Sequence, residues 1–349
     1  MSLHTLQSDH LDEASRLLEK FRQPRPKEFW LERFRFWWER NPAYREGMTR
    51  GWFVRDPNGT MIAFYAAIPL SFQIHGQKRL TWTGSTMYVE SAHRGWGALL
   101  LLTLIKQCTD TICWLSTPGP QSDGMFTGLK LPKIPYAAQT KHILFTGPGG
   151  MVAQSLARTS GIFPHSGKVR RFLSWFDRLT LNDDEIRLFT QCDDSFDRLW
   201  DKSRHQYPTT RWRDRETLQW FCFGWNNFEK FLLGHDPHQN GQLHGYAVFQ
   251  TRNTPQGRFL VCEDLWFDRN STATPAHLLT GALKLASQKW LDGVIVFNYP
   301  GLESWLKRFA YQEVQSESPP GYFKVPSALA HLESGTDTLF MLGEGDSAL

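Results

Sequence analysis

A short segment between residues 89 and 101 combines one arginine with two closely spaced glycines, a pattern that suits phosphate binding. Gly95 and Gly97 let the backbone turn tightly and approach a ligand closely, and Arg94 supplies positive charge and several hydrogen-bond donors. The apolar run that follows predicts a helix, whose first N–H groups and positive dipole end would face the same ligand. The segment therefore predicts a pyrophosphate site where a strand turns into a helix. It has neither the G-x-G-x-x-G of dinucleotide-binding folds nor the G-K-S/T of P-loops.

This segment resembles the GNAT (Gcn5-related N-acetyltransferase) superfamily in its V-x-x-x-x-R-G-x-G pattern, which runs from Val89 to Gly97. In that family the turn binds the pyrophosphate of acetyl-CoA, and the preceding strand pairs with the pantetheine arm. The resemblance implies that acetyl-CoA or another acyl-CoA is a co-substrate. The implied pantetheine contacts are Met87, Tyr88 and Val89, and the implied phosphate contacts are Arg94, Gly95, Trp96, Gly97, Ala98 and Leu99.

The chain departs from the family in two respects. The first concerns the pattern Q/R-x-x-G-x-G/A. If Arg94 takes its first position, Leu99 takes the sixth; if Gly95 and Gly97 take the fourth and sixth, Ala92 takes the first. Many family members also carry a tyrosine in the helix after the next strand, as general acid for the departing thiolate. The matching residue here is Phe126. Tyr88, Tyr136 or a water molecule would have to substitute for it.

Acyl transfer to an amine also needs a general base and a donor for the thioester oxygen. A backbone N–H of the strand before the turn can be that donor. Glu90 and His93 flank the turn and are candidate bases, with an exposed loop position as the alternative for each. Glu263 and Asp264 adjoin in a predicted strand and point to opposite faces. One of them could hold the amine acceptor, or could form a salt bridge to Arg258 or Arg269.

Other clusters do not predict a site. His235, His238 and His244 surround Asp236-Pro237 and Asn240-Gly241, which indicate an exposed hairpin turn instead of a metal centre. Asp183-Asp184-Glu185 indicates the start of a helix. The cysteines are scattered, odd in number and without a C-x-x-C pair, which fits a reducing compartment and argues against zinc. They are Cys108, Cys113, Cys192, Cys222 and Cys262.

The order of predicted elements occurs twice. Each half has two helices, antiparallel strands, a long strand, a long helix and a buried strand. We predict an α/β (α+β) chain of two GNAT-like domains, each a mixed, mostly antiparallel sheet flanked by helices. The boundaries are 1–147 for the domain with the pyrophosphate turn, 148–180 for a connector, and 181–349 for a second domain with a C-terminal tail. The second domain lacks an Arg-Gly-x-Gly turn, because its long strand leads into Asp268-Arg269-Asn270.

Composition narrows the function. The chain has 349 residues, 15 Trp, 25 Phe and a net charge of +4, which is too small to indicate nucleic-acid binding. The aromatic residues of 29–38 and 220–225 predict core packing, with an aromatic acceptor pocket as the alternative. Nine basic residues lie between Lys20 and Arg50, either as a solvated helix face or as the mouth of a site for a polyanion. No apolar run approaches the ~20 residues that span a bilayer.

These observations favour a cytoplasmic acyl-CoA-dependent N-acyltransferase, most simply an N-acetyltransferase, that acts by direct transfer. Its partners would be a small-molecule amine and, as acyl donor, CoA or an acyl carrier protein. Two alternatives stay open. A Fem-type transferase would take an aminoacyl group from tRNA, and a scaffold with the same fold would bind without catalysis.

Overall fold

The computed structural model describes residues 1–21, 24–115, 122–133, 140–145, 184–297, 306, 311–315, 321–326, 329–330 and 338–339. The helices are α1 (Leu11–Leu18), α2 (Lys27–Phe34), which continues as a π-helical turn over Arg35–Glu39, α3 (Trp96–Gln107), α4 (Asp123–Gly128), α5 (Asp194–Ser203), α6 (Arg215–Phe223) and α7 (Thr274–Gln288). None of the described helices is both long and apolar enough to span a lipid bilayer.

The strands form two sheets. The first-half strands are β1 (Ser2–Thr5), β2 (Gly51–Arg55), β3 (Met61–Ile74), β4 (Gln77–Val89), β5 (Cys113–Leu115) and β6 (Thr140–Phe145). Those of the second half are β7 (Ile186–Phe189), β8 (Thr209–Arg211), β9 (Lys230–His235), β10 (Gly245–Thr254), β11 (Gly257–Phe267), β12 (Gly293–Phe297), β13 (Tyr311–Gln315), β14 (Tyr322–Lys324) and β15 (Thr338–Leu339).

The first sheet has the order β1-β2-β3-β4-β5-β14, and β8 and β15 extend it beside the far end of β3. Its neighbouring strands are antiparallel except for β4 with β5 and β8 with β15. Helices cover both faces. Apolar side chains of α1 and α2 pack with Phe53 and Phe64 on one face, and Leu100, Leu101 and Leu104 of α3 pack on the other. Two apolar layers therefore hold β4 in the middle of the domain.

One strand is longer than its sequence predicts. The sequence pattern predicts separate strands over residues 60–68 and 71–75, with a break near Pro69, but β3 runs unbroken from Met61 to Ile74. The proline has no N–H to give to a neighbouring strand. It lies between the last residue that pairs with β2, Ala66, and the first that pairs with β8, Phe72. There the carbonyl of Pro69 accepts a hydrogen bond from Asn41 Nδ2 at 2.9 Å instead.

The second sheet repeats this plan in the order β13-β6-β12-β11-β10-β9-β7. Its described strand pairs are antiparallel except β11 with β12. Each half thus contains a strand, a helix and a parallel strand in succession: β4-α3-β5 in the first and β11-α7-β12 in the second. The predicted repeat of architecture and the α/β class are confirmed by this correspondence.

The two sheets exchange a strand. β6 belongs to the first half of the chain, yet it lies between β12 and β13 of the second sheet. In return, β14 pairs with β5 in the first sheet, with Tyr322 opposite Leu115. Neither sheet is complete without residues from the other half. The boundary at residue 147 and the connector 148–180 stay predictions, and the connector lies outside the described residues.

The aromatic helices join the halves. Phe36 stacks on Trp220 with ring centroids 5.1 Å apart, and Trp220 Nε1 donates a hydrogen bond to the Phe36 carbonyl at 2.8 Å. Phe29 contacts Trp225 at 5.4 Å between centroids. The predicted core role of these rings is confirmed, because all but Phe29 and Phe223 of the two sets are buried.

Five strands were not predicted, namely β1, β7, β8, β13 and β15. The expectation that residues 183–185 begin a helix is wrong, because Glu185 lies in a turn that leads into β7. Strand β7 has only four residues, and Leu188 on it is exposed. An edge strand this short leaves too little alternation for the sequence to reveal it. The predicted helix 301–309 lies outside the described residues except for Leu306.

Candidate functional site at the β4–α3 turn

Within the described residues, the edge of β4 that faces β5 has no strand partner along half of its length. β4 pairs with β5 only at Trp82 and Thr83, and Thr83 Oγ1 donates a hydrogen bond to the Trp114 carbonyl at 2.8 Å. β4 then continues to Val89 while β5 ends at Leu115. Among the described residues no strand pairs with β4 on this side beyond Thr83. An open strand edge can bind an extended ligand as an added strand.

A bulge interrupts β4 along this open stretch. Phe64 of β3 pairs with Tyr88 and Ala66 pairs with Ser85, so Tyr65 alone faces two residues, Thr86 and Met87. Thr86 adopts a φ of +51°, a conformation that is strained for a β-branched side chain. A bulge takes backbone groups out of the ladder and turns them toward new partners. The bulge therefore leaves Thr86 and Met87 outside the regular pairing of β3 with β4.

The turn after β4 delivers the chain to an uncapped helix. Residues 91–93 form a short 3-10 turn, and the N–H of Gly97 donates to the Arg94 carbonyl at 3.1 Å. No side chain caps the start of α3, and its first turn contains no acidic residue. Arg94 and Gly95 are exposed beside it, whereas Gly97 is buried. The start of α3 therefore has no carboxylate to offset its positive dipole end, although the N–H of Gly97 is already used within the turn.

The protein's own packing does not explain the glycines of this turn. A Cβ built on Gly95 meets nothing within 4 Å, and one on Gly97 meets Met87 Sδ at 3.6 Å, an ordinary contact. Neither residue has a positive φ. Gly84 on the same strand contrasts with them, because a Cβ there would lie 1.9 Å from Tyr65 Oη. Gly84 is required by the fold. Gly95 has open space beside it, and Gly97 would accept a methyl group against Met87 and Val89, so packing requires neither turn glycine.

The candidate bases lie at the rim of this turn. Glu90 Oε1 is 3.1 Å from Lys20 Nζ, and the N–H of His93 donates to the Glu90 carbonyl at 2.8 Å. Tyr88 is half-buried and its ring lies 6.3 Å from that of Phe21. The structure brings these three residues to the turn together with residues 94–99.

Solved structures of N-myristoyltransferase and of GCN5-related N-acetyltransferases share this architecture. The chain superposes on Saccharomyces cerevisiae N-myristoyltransferase with bound myristoyl-CoA and inhibitors at a TM-score of 0.55 and 12% identity, over 92% of this chain and 78% of that one. It superposes on GCN5-related N-acetyltransferases from Anabaena variabilis (TM-score 0.54, 10% identity, 97% and 75% covered) and Kribbella flavida (0.54, 11%, 94% and 71%). The fold is that of the GNAT superfamily. No protein-family model and no curated protein sequence matches the chain.

Phe126, which the sequence pattern matched to the family's tyrosine, lies next to a tyrosine from the other half of the chain. Phe126 in α4 is buried and stacks on Tyr322 of the exchanged strand β14, with centroids 5.2 Å apart. Tyr322 Oη donates a hydrogen bond to Asp123 Oδ1 at 2.6 Å. Burial, together with this acceptor, raises the pKa of Tyr322. The sequence could not indicate this tyrosine, because it comes from a strand 196 residues beyond Phe126 and reaches α4 only through strand exchange.

Glu263 and Asp264 lie in the other GNAT-like half, on β11. Glu263 is fully buried with Arg252 Nη2 2.6 Å from its Oε1, and burial raises its pKa despite that arginine. Asp264 is 3.0 Å from Arg213 Nη2 and accepts a hydrogen bond from Tyr246 Oη at 2.9 Å. The salt-bridge alternative is correct in kind, but its partners are Arg252 and Arg213 where Arg258 and Arg269 were expected. The structure does not bring these carboxylates to the β4–α3 turn.

The turn after β11 corresponds to the turn after β4, and a carboxylate within it accepts hydrogen bonds from its neighbours. Asp268 is buried and accepts hydrogen bonds from the N–H of Asn270 at 3.0 Å and from Gln206 Nε2 at 2.8 Å. Lys202 Nζ lies 3.0 Å from the same side chain. This turn therefore contains a buried carboxylate that has its own partners, whereas α7, like α3, begins without a side-chain cap.

A cavity of about 520 Å³ lies elsewhere in the first half, between Met48, Trp82, Gln107 and Thr111. It lies at the opposite end of α3 from Gly97, roughly 15 Å away at 1.5 Å per residue. We therefore place the candidate site at the β4–α3 turn on the strength of its backbone geometry.

Proposed function

We propose that this protein is an acyl-CoA-dependent N-acyltransferase whose first half binds the co-substrate. The observation that carries this proposal is the coincidence of an open strand edge, a bulge and an uncapped helix start around two glycines that the fold does not need. The GNAT fold supports it, as does the myristoyl-CoA bound in the N-myristoyltransferase that shares this fold.

The parts of acyl-CoA match the parts of the site. The pantetheine arm would pair with the open edge of β4 at Met87, Tyr88 and Val89, since an extended amide chain can satisfy unpaired strand groups. The pyrophosphate would bind at residues 94–99, where Arg94 and the N–H groups of α3 offer charge and donors. A backbone N–H at the Thr86–Met87 bulge would donate to the thioester oxygen, which gains negative charge in the transition state.

The reaction would be a direct transfer. The acceptor amine, once deprotonated, attacks the thioester carbon, so that a C–N bond forms and the C–S bond breaks. Glu90 or His93 would accept the ammonium proton, directly or through water, and Tyr88 or water would protonate the departing thiolate to give CoA. We propose a small-molecule amine as acceptor, acetyl-CoA or a longer acyl-CoA as donor, and the cytoplasm as the compartment.

Calorimetric titration of acetyl-CoA into Gly95→Ala tests the assignment. A Cβ on Gly95 meets nothing within 4 Å, so the melting temperature should stay the same or rise slightly. Affinity should fall about tenfold or more, since a methyl group at this exposed position would stand where the phosphates approach. Unchanged affinity would contradict this placement of the cofactor. Release of free thiol on adding an amine panel would then show transfer itself.

A further inference from the structure

Three side chains from separate elements meet on the second half, far from the chemistry proposed above. They are Glu185 in the turn before β7, His235 at the end of β9, and His277 in the first turn of α7. Glu185 Oε2 lies 3.0 Å from His235 Nε2 and 3.5 Å from His277 Nδ1. One ligand atom from each residue lies within 4.8 Å of the other two.

We propose that Glu185, His235 and His277 form a site for a divalent transition-metal ion, with Zn²⁺ as the best match. Two imidazole nitrogens and one carboxylate are a common ligand set for zinc. Around a tetrahedral zinc ion with bonds of ~2.0–2.1 Å, neighbouring ligand atoms are about 3.3–3.4 Å apart. The two measured separations from Glu185 Oε2 lie on either side of this value.

The environment of His235 supports its role as a ligand. His235 is only 3% exposed, and its Nδ1 lies 2.9 Å from Thr274 Oγ1. A partner at Nδ1 fixes the orientation of the imidazole ring and leaves Nε2 directed at the metal position, as outer partners of zinc histidines do. The rings of His235 and His277 stack at 4.6 Å between centroids, which keeps the second imidazole in place as well.

Strand pairing and a close helix contact bring β7, β9 and α7 together. Ile186 of β7 pairs with His235 of β9, so the residue before it, Glu185, is held next to the end of β9. Helix α7 reaches β7 because residue 281 is glycine, since a Cβ there would lie 2.7 Å from Ile186 Cγ2. The site therefore fastens an edge strand of four residues to the sheet and to its covering helix. Glu185 and His277 are partly exposed, which leaves room for water as a fourth ligand.

The sequence pattern predicted no metal at His235, on the ground that this histidine lies in an exposed hairpin turn. That ground was partly wrong. The exposed turn that we expected does contain His238, but His235 is buried in β9. The ligands are 50 and 42 residues apart along the chain, so no local spacing reveals them.

The test uses full-length, tag-free protein stripped with EDTA and titrated with ZnCl₂. We expect one tightly bound Zn²⁺ per chain and a higher melting temperature with metal, because an ion that binds the folded state stabilises it. Glu185→Gln and His277→Ala, both at partly exposed positions, should abolish both effects. His205→Ala is the matched control, an exposed histidine on another segment, and should bind as the wild type does.

A gentler variant separates ligation from folding. Thr274→Val removes the partner of His235 Nδ1 and should weaken Zn²⁺ binding roughly 10–100-fold. Tetrahedral Co²⁺ absorption in the wild type, lost in His277→Ala, would confirm the ligands. Failure to retain Zn²⁺ on dialysis, or retention by Glu185→Gln and His277→Ala equal to that of the wild type, would overturn the proposal. None of these outcomes depends on whether the β4–α3 turn binds acyl-CoA.

Discussion

The two halves of the chain share one plan but differ at the point where a ligand would bind. Both have a bulge in the long strand before the long helix, at Thr86–Met87 on β4 and at Glu263 on β11. On β4 the bulge adjoins an open edge, whereas on β11 the extra residue is a buried carboxylate beside Arg252. The two halves therefore share a strand–bulge–helix arrangement, but among the described residues only the bulge of β4 adjoins an open strand edge that could bind a cofactor.

The turns that follow these strands differ in charge. The first has an exposed arginine and two glycines. The second contains the buried Asp268, whose carboxylate accepts the N–H of Asn270. The helices that follow, α3 and α7, both begin without a side-chain cap or an acidic residue in the first turn. A pyrophosphate would gain donors at the first turn, and it would meet a buried negative charge at the second.

Breaking the buried ion pair of the second half should have the largest effect. Asp264→Ala leaves Arg213, which is 1% exposed, without its carboxylate partner. We expect the free energy of unfolding in urea to fall by about 3–5 kcal/mol, the usual result of stranding a buried charge. Glu90→Ala, at a partly exposed carboxylate directly after β4, is the control and should cost less than ~1 kcal/mol. Similar losses for both variants would contradict the contrast between the halves.

A smaller effect is expected on the melting temperature at low pH, through the carboxylate of Asp268. Burial alone would raise the pKa of Asp268, but the hydrogen bonds from Gln206, Asn270 and Lys202 outweigh it and lower that pKa below 3.8. The ionised group therefore stabilises the fold at neutral pH, and this contribution is lost as the pH falls through the lowered pKa. Asp268→Asn should flatten the decline in melting temperature below about pH 4. Asp110→Asn, at an exposed position, should leave the decline as it is; an identical decline in both variants would be evidence against this role for Asp268.

The smallest effect is expected at the rim of the first turn. Lys20→Ala removes the partner of Glu90, and both side chains are partly exposed. Such a pair contributes about 0–1 kcal/mol, so the melting temperature should barely change. If Glu90 is the general base, loss of the lysine should alter the pH dependence of transfer instead. A large loss of stability would show that this ion pair is structural.

The sequence predicted those parts of the molecule that depend on neighbours along the chain. The β4–turn–α3 segment is one such part, because alternation, two glycines and an apolar run follow one another within 30 residues. The duplicated order of elements and the aromatic core followed in the same way.

Features that depend on distant residues were not predictable. The bulge at Thr86 and Met87 contains neither glycine nor proline, and Gly84 two residues earlier does not fix its position. Thr86 also adopts a φ that threonine rarely takes. Tyr322 reaches α4 through strand exchange, and Glu185, His235 and His277 meet only when β7, β9 and α7 have assembled. In each case the partner is set by the fold and not by spacing.

The most direct test of the account is the number and position of acyl-CoA sites. Calorimetric titration with acetyl-CoA should give one site per chain, with affinity reduced about tenfold or more by Arg94→Ala. Arg269→Ala, the exposed arginine of the corresponding turn in the second half, should bind as the wild type does. Two sites per chain, or equal losses from both arginines, would contradict the claim that only the first half holds the cofactor.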